Sequence, residues 1–368
     1  MAEFLSGIAA GAGGLRKTET TVTRRVVQAD GTLVYVKTKE TLTEGGFTAT
    51  GPALQASPTC RQAAAPAHLV EDLLGGASSR VPQVFSVAEA RWVDEAQLGG
   101  EAAQAAPMSL FRLVQYNVWF VEEQFVERAA GLLGILGATA PHCAMLQEVT
   151  APLLELLKAD LFIQKHYRLS DRSGATLAPY GVLLLVHRSV RMRHFTLHPM
   201  PTAMARRFLS AELLLGKEGG GCTSLVVGTA HLESMDYNAK MRLAQVDAIY
   251  GKSGAVPVDS AFIFAGDTNM SKPGEEEALP ADIVDAFDVV GSSLPAGGAT
   301  CGPHRLDRVW LRSGGGLWLR AGSLSILGRE LTPRPSDHDG LLCEIALEVS
   351  ADVDSARVGN SWHQHEQG

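Results

Sequence analysis

Most of the residues in this chain that could do chemistry follow short apolar runs. Asn117 follows residues 110–116, Glu148 follows 142–146, His231 follows 224–230, and Asp267 and Asn269 follow 262–265. Asp307 sits in His304-Arg305-Leu306-Asp307-Arg308, and Asp337 and His338 precede the apolar run 341–349. Carboxylate and carboxamide oxygens suit a hard cation such as Mg2+, with Mn2+ as a substitute, which takes one or two protein carboxylates beside substrate phosphate. Two histidines can donate hydrogen bonds to phosphoryl oxygens or move protons near neutral pH. Zinc is the weaker reading, because the chain has no Cys-x-x-Cys pair. The one His-x-x-x-His spacing, His194 with His198, falls in a strand-like run, where four residues span about 13 Å. Each residue alone has a plainer explanation. Gly266-Asp267-Thr268-Asn269 is also turn chemistry, Glu148 could charge a helix start, and His231 could be a hydrogen-bonded core histidine. Their recurrence at run ends points to one site.

Positioning such residues requires strands. Residues 110–116, 142–146 and 262–265 read as buried strands, and residues 122–136 and 238–250 have apolar residues at helical spacing. Strand, polar residue, helix, strand is the order of an α/β layer fold, in which sites gather at strand ends. Runs at 182–187, 192–197, 208–215 and 224–230 read as an antiparallel meander. If the strand continues past Gly266, Asp267 and Asn269 share one face. Before residue 108 the texture differs. Residues 20–27 and 33–37 alternate around Asp30-Gly31 and read as a hairpin, and residues 45–106 are rich in Ala, Gly, Pro and Ser, as in a linker or weakly ordered arm. A short amphipathic piece at 87–93 could dock on the main domain. The division expected is an amino-terminal region 1–107, a main domain 108–350 and a flexible tail 351–368.

The net charge of −8 argues against polyanion binding over the whole surface, although a local basic cleft remains compatible with it. Six arginines and no acidic residue lie between Arg172 and Ala211. Five scattered cysteines indicate neither a disulfide framework nor a zinc site, and favour a reducing compartment, nuclear or cytoplasmic. No apolar run reaches transmembrane length, and the start lacks the basic segment of a secretory signal.

Five segments carry a resemblance: Gln115-Tyr116-Asn117-Val118-Trp119-Phe120, Leu146-Gln147-Glu148-Val149, His231-Leu232-Glu233-Ser234, Gly266-Asp267-Thr268-Asn269 and Ser336-Asp337-His338. In order and spacing they resemble the endonuclease/exonuclease/phosphatase superfamily of DNase I-like enzymes, over residues 108–349. The resemblance implies a four-layer α/β sandwich, two packed mixed sheets flanked by helices, with the site at one edge. It implies that Glu148 holds Mg2+ with help from Asn117 and Asp337, and that Asp267 and Asn269 position or deprotonate water. His231 and His338 would stabilise phosphoryl charge, Asp307 would orient His338, and Ser234 and Arg206, or its neighbour Arg207, would contact substrate phosphate. The pairing of His-Leu-Glu-Ser with Gly-Asp-Thr-Asn is most similar to members that hydrolyse 5′-phosphotyrosyl links between DNA ends and a tyrosine or peptide, a DNA-repair activity. The implied partner is therefore a DNA 5′ end bearing a tyrosyl or peptide adduct, with no membrane. The alternatives are a general nuclease, a small-molecule phosphodiesterase of the same superfamily, or a catalytically silent scaffold. One departure stands out: Ala299-Thr300-Cys301-Gly302 replaces an aromatic Thr-Trp-Asp element, which puts the substrate groove in doubt.

Overall fold

The computed structural model describes residues 76–98, 105–217, 221–272, 274–291, 294 and 296–349, together with the backbone of three strands nearer the amino terminus. Those three strands belong to a unit within residues 1–70. Strands β1 (Thr18–Val27) and β2 (Leu33–Thr43) pair antiparallel with Val27 opposite Leu33, and β3 (Gly46–Thr48) pairs with β2. The paired stretch covers the residues read as a hairpin. The remaining arm before residue 76 and the tail after residue 349 lie outside the described residues.

The larger unit begins with three short strands, β4 (Ser78–Arg80), β5 (Gln83–Ser86) and β6 (Arg91–Asp94). Then come β7 (Leu110–Asn117), helix α1 (Phe125–Thr139), β8 (Cys143–Val149), α2 (Ala151–Ala159), α3 (Leu161–His166), β9 (Tyr167–Leu169) and β10 (Gly181–His187). The second half holds β11 (Arg191–Pro199), β12 (Arg207–Gly216), β13 (Cys222–Ala230), α4 (Ala239–Tyr250), β14 (Ala261–Asp267) and β15 (Val284–Asp285). It closes with α5 (Ala286–Val290), β16 (Asp307–Arg312), β17 (Leu317–Leu327) and β18 (Gly340–Val349). One sheet has the order β17-β18-β7-β8-β10-β9-β5-β6, and the other β15-β16-β14-β13-β12-β11-β4.

Two neighbouring pairs are parallel, β7 with β8 and β13 with β14, and each is joined by a helical crossover, α1 and α4. Local capping fixes where helices begin: Thr150 Oγ1 accepts from Leu153 N–H (3.4 Å) at the start of α2, and Asp160 Oδ1 from Ile163 N–H (2.9 Å) at α3. Two sequence expectations need correction. Residues 182–187 do not open the meander: β10 pairs with β8 and β9 in the first sheet, and only β11, β12 and β13 form the meander in the second. A short link at residues 188–190 crosses between sheets, and an apolar strand reads the same in either. Residues 78–94, placed in the linker by composition, instead supply edge strands to both sheets, and Trp92 and Val93 are buried there.

Strand β14 is buried along its whole length because it faces apolar layers on both sides. Ile263 and Ala265 pack between the sheets with Leu113, Met145 and Leu213. Phe262 and Phe264 point the other way, against Val246, Ile249 and Tyr250 of α4 and against Trp310. On the far side, Val114, Leu146 and Leu183 pack against Leu132, Leu136, Leu153 and Leu157 of α1 and α2. These three apolar layers separate helix, sheet, sheet and helix, the four-layer sandwich expected. Among the described residues no helix is long and apolar enough to cross a membrane.

Candidate active site

The ends of β7, β8, β13, β14 and β16 meet at one edge of the two sheets. At their centre is Asp267, 1% exposed. Its Oδ2 accepts from Asn117 Nδ2 (2.9 Å) and lies 3.3 Å from His231 Nε2 and 3.9 Å from His338 Nε2. Its Oδ1 accepts from the main-chain N–H of Asn269 (2.9 Å). The preceding glycine is required by packing: a Cβ on Gly266 would come within 2.2 Å of the Ala230 carbonyl. The extended backbone stops at Asp267, and Asn269 takes a left-handed φ of 51°. Asp267 and Asn269 therefore do not share a strand face. The tetrapeptide is a turn that also places Asp267 at the centre of the candidate site, with the Asn269 side chain donating to Leu232 O (3.1 Å).

The two histidines are held in opposite protonation states. His231 is pushed well below its ordinary pKa by burial, then by Arg206 and His338. Arg206 Nη1 donates to its Nδ1 (3.0 Å), so the ring's proton sits on Nε2, toward Asp267. For His338 burial acts downward, but the Asp307 carboxylate overrides it and holds the imidazole well above its ordinary value. His338 Nδ1 donates to Asp307 Oδ2 (2.8 Å). Burial also pushes Asp267 up out of the usual carboxylate range, with Asp307 adding to it and His338 opposing it.

Behind this pair a buried polar layer ties the sheets together. Gln115 Nε2 of β7 donates to Asp307 Oδ1 of β16 (2.6 Å) and to Gln147 Oε1 of β8 (2.7 Å), and Gln147 Nε2 donates to Thr229 Oγ1 of β13 (2.9 Å). Gln115 and Gln147 were not among the candidates. The sequence signal for them was an uncharged amide set directly after apolar residues near the end of each strand-like run.

Glu148 is aimed by a bulge. Gly181 faces Val149 while Leu183 faces Leu146, so β8 carries one extra residue there, and Glu148 takes a φ of 60°. Its Oε2 accepts from Phe120 N–H (3.0 Å) and its Oε1 lies 3.7 Å from His231 Nδ1. Burial raises its pKa, and the nearby Asp337 carboxylate raises it further. A carboxylate whose charge is disfavoured by burial and by a neighbouring carboxylate at an oxygen-rich edge fits a hard divalent cation, which would relieve it. Asn117 Oδ1 accepts from Trp119 N–H (3.1 Å) and keeps a second lone pair. Arg206 is buried, and its Nη2 donates to Ser234 Oγ (2.9 Å), whereas Arg207 opens β12 opposite Pro199. The other arginines of the basic stretch are more dispersed, Arg172 near Asp94 (3.7 Å) and Arg193 on Glu212 (3.2 Å). Tyr180 lies under the Arg206 guanidinium (5.5 Å) and stacks on Phe120 (4.7 Å).

Arg128 of α1 was also missed. All its N–H groups go to main-chain carbonyls: Nε to Pro335 (3.1 Å), Nη1 to Val121 (2.8 Å) and Glu123 (3.1 Å), and Nη2 to Val118 (3.1 Å) and Trp119 (2.5 Å). It thereby joins the loop after Asn117 to the loop before Asp337 and His338.

Residues 114–338 match the endonuclease/exonuclease/phosphatase family. The chain is 28% identical over 259 residues to tyrosyl-DNA phosphodiesterase 2 of Xenopus tropicalis, covering 65% of this chain and 67% of that protein. Two crystal structures of the D. rerio tyrosyl-DNA phosphodiesterase 2 share the fold at 24% identity, covering 65% of this chain and 99% of theirs. One is a form humanized by 14 mutations, with a TM-score of 0.56, and the other, at 0.54, is complexed with a single-strand DNA product. Proteins of this kind are generally dependent on a divalent metal.

Proposed function

The chain belongs to the endonuclease/exonuclease/phosphatase family, and within it we propose a metal-dependent phosphodiesterase that hydrolyses the 5′-phosphotyrosyl link between a DNA end and a tyrosine or peptide. The observation that carries this reading is the convergence on Asp267 Oδ2 of Asn117 Nδ2 (2.9 Å), the neutral His231 (3.3 Å) and the cationic His338 (3.9 Å). The likeness to enzymes named for tyrosyl-DNA supports the choice of leaving group.

In this reading water attacks phosphorus in line, the bond from phosphorus to the tyrosine oxygen breaks, and a 5′-phosphate remains on the DNA. Asp267 takes the proton of the attacking water. Its raised pKa makes it a better base than an ordinary carboxylate, and Asn117 and the Asn269 N–H fix its orientation. His338 as a cation and His231 through Nε2–H neutralise charge on the non-bridging oxygens. Arg206 and Ser234 hold the phosphate, and the stacked Phe120 and Tyr180 offer a face for a base or a tyrosine ring. Glu148, with Asn117 and Asp337, would hold Mg2+, or Mn2+ in its place, which when bound supplies positive charge beside the phosphoryl oxygens. The leaving phenol has an unperturbed pKa of about 10, so its departure asks little of a general acid.

Incubation with a 5′-tyrosyl oligonucleotide and with the same unmodified oligonucleotide tests the proposal. Release of tyrosine, with the DNA strand left intact and only when Mg2+ is present, is expected. Degradation of both substrates at similar rates would replace the reading with that of a general nuclease.

A further inference from the structure

Cys301 does not touch the phosphate in the hydrolysis proposed above, yet its side chain hydrogen-bonds His338 at the same edge. One ligand atom from each of Cys301, Asp337 and His338 lies within 4.8 Å of the other two. Cys301 and Asp337 are partly exposed while His338 is buried, so a cation can reach the group from solvent. The thiol is also built in. Cys301 and His304 exchange two main-chain hydrogen bonds of 3.0 Å across a tight turn. On one side Thr300 Oγ1 accepts from Leu306 and Asp307 N–H, both at 3.2 Å, and on the other Thr300 O accepts from Asp339 N–H at 2.8 Å. The turn is therefore clamped both to the strand bearing Asp307 and to the segment bearing Asp337 and His338.

His338 has the preparation typical of a metal-binding histidine. Its Nδ1 is committed to the Asp307 carboxylate at 2.8 Å, which fixes the ring, so that a cation binds Nε2 by displacing its proton to solvent, as it does the proton of the Cys301 thiol. Sulfur, imidazole and carboxylate together suit Zn2+, and the soft sulfur is a poor ligand for Mg2+. Asp267 Oδ2, 3.9 Å from Nε2, stands near enough to serve as a fourth ligand after small side-chain rotations.

We propose that Cys301, Asp337 and His338 form a binding site for a thiophilic divalent cation of the Zn2+ type, distinct from the Mg2+ position at Glu148, and that its occupation silences hydrolysis. The silencing follows from sharing. A cation held on His338 Nε2 removes that imidazole from the phosphoryl group, and a cation on Asp337 draws it away from Glu148. The silencing part rests on the functional reading above, whereas the binding part does not.

The test uses the full chain and Co2+ as a spectroscopic substitute for Zn2+. Wild type should bind one Co2+ with a near-ultraviolet thiolate-to-cobalt absorption. Cys301→Ser should lose that absorption, and Asp337→Asn should weaken binding at least about 10-fold, the loss that even a supporting residue causes. With Mg2+ in excess and the 5′-tyrosyl oligonucleotide as substrate, Zn2+ should inhibit wild type at concentrations at least about 10-fold lower than Cys301→Ser. Absence of the band in wild type, its persistence in Cys301→Ser, or equal Zn2+ inhibition of the two proteins would overturn the proposal. Wild type that shows the cobalt band but never releases tyrosine would keep the cation site and sink the functional reading instead.

Discussion

Replacing Arg128 with lysine keeps the charge and removes part of the scaffold under the site. The guanidinium gives five N–H groups to the carbonyls of Val118, Trp119, Val121, Glu123 and Pro335, while an ammonium has three donors in a different geometry. At least two buried carbonyls lose their partners, at about 1–3 kcal/mol each. The adjoining cavity, lined by Arg128, Trp119, Glu148 and Pro335 and about 10 Å³ in volume, has room for one water to satisfy one of them. The expected loss is then about 1–3 kcal/mol, a sizeable part of the roughly 5–15 kcal/mol that holds a domain together. At about 2–4 °C per kcal/mol the melting temperature should fall by the order of 2–12 °C. The loosened loops carry Phe120 N–H, which bonds Glu148, and Pro335, two residues before Asp337. Turnover should therefore fall as well, and the Mg2+ concentration giving half-maximal rate should rise. Circular dichroism on heating, with tyrosine release followed across a Mg2+ titration, reads both. A lysine variant that melts at the wild-type temperature, with the same Mg2+ dependence, would refute the assigned role.

Asp267→Asn should lower turnover about 10²–10⁴-fold with no loss of melting temperature, because the carboxylate it removes is already disfavoured by burial; calorimetry and tyrosine release on one preparation check it. Asp307→Asn should slow turnover about 10–100-fold and let the His338 resonances titrate near the ordinary histidine range, readable by NMR. Glu148→Gln should abolish Mg2+-dependent turnover while leaving the far-ultraviolet spectrum unchanged. Stability should also fall on acidification through His198, whose pKa is lowered to about 4 by burial and then by His194. The unfolded chain takes up this proton below about pH 6.5 and the folded one does not, so the penalty grows between about pH 6.5 and 4. Solvent screening of a partly exposed ring limits it to about 1 kcal/mol, and His198→Gln should flatten the curve of melting temperature against pH by that amount.

What could be read in advance divides by the kind of interaction. Phe262, Ile263, Phe264 and Ala265 announced a strand covered on both faces, because only two apolar layers can bury consecutive large side chains of one strand. Glu148, Asp267 and His338 announced chemistry, because a charged or titratable group at the end of such a strand has no packing reason to be there. The sheet to which a strand belongs was not readable: β10 and β11 have the same apolar texture, and the crossing at residues 188–190 is decided by which neighbour completes the hydrogen-bond ladder. The ordered strands at 78–94 hid for a related reason. They are three or four residues long, too short for alternation to be counted, and their stability comes from edges provided by other parts of the chain.

Arg128 and Cys301 show a second kind of silence. Arg128 acts on five carbonyl oxygens, and the side chains of Val118, Trp119, Val121, Glu123 and Pro335 carry no trace of that demand. A sequence reports which side chain each residue brings, whereas a loop held by its main chain is visible only once folding has turned the carbonyls inward. Cys301 is silent because its neighbours come from a different segment: Thr300 joins the turn to Asp307 on one side and to Asp339 on the other, and Arg329 bridges Ala299 O to the Asp339 carboxylate, which together bring the sulfur to Asp337 and His338. Residues recognisable by type were therefore those proposed to perform chemistry at strand ends. Those that fix where the strand ends lie, or that are proposed to offer a second chemistry beside them, depend on joining segments far apart in the chain, 207 residues in the case of Arg128 and Pro335.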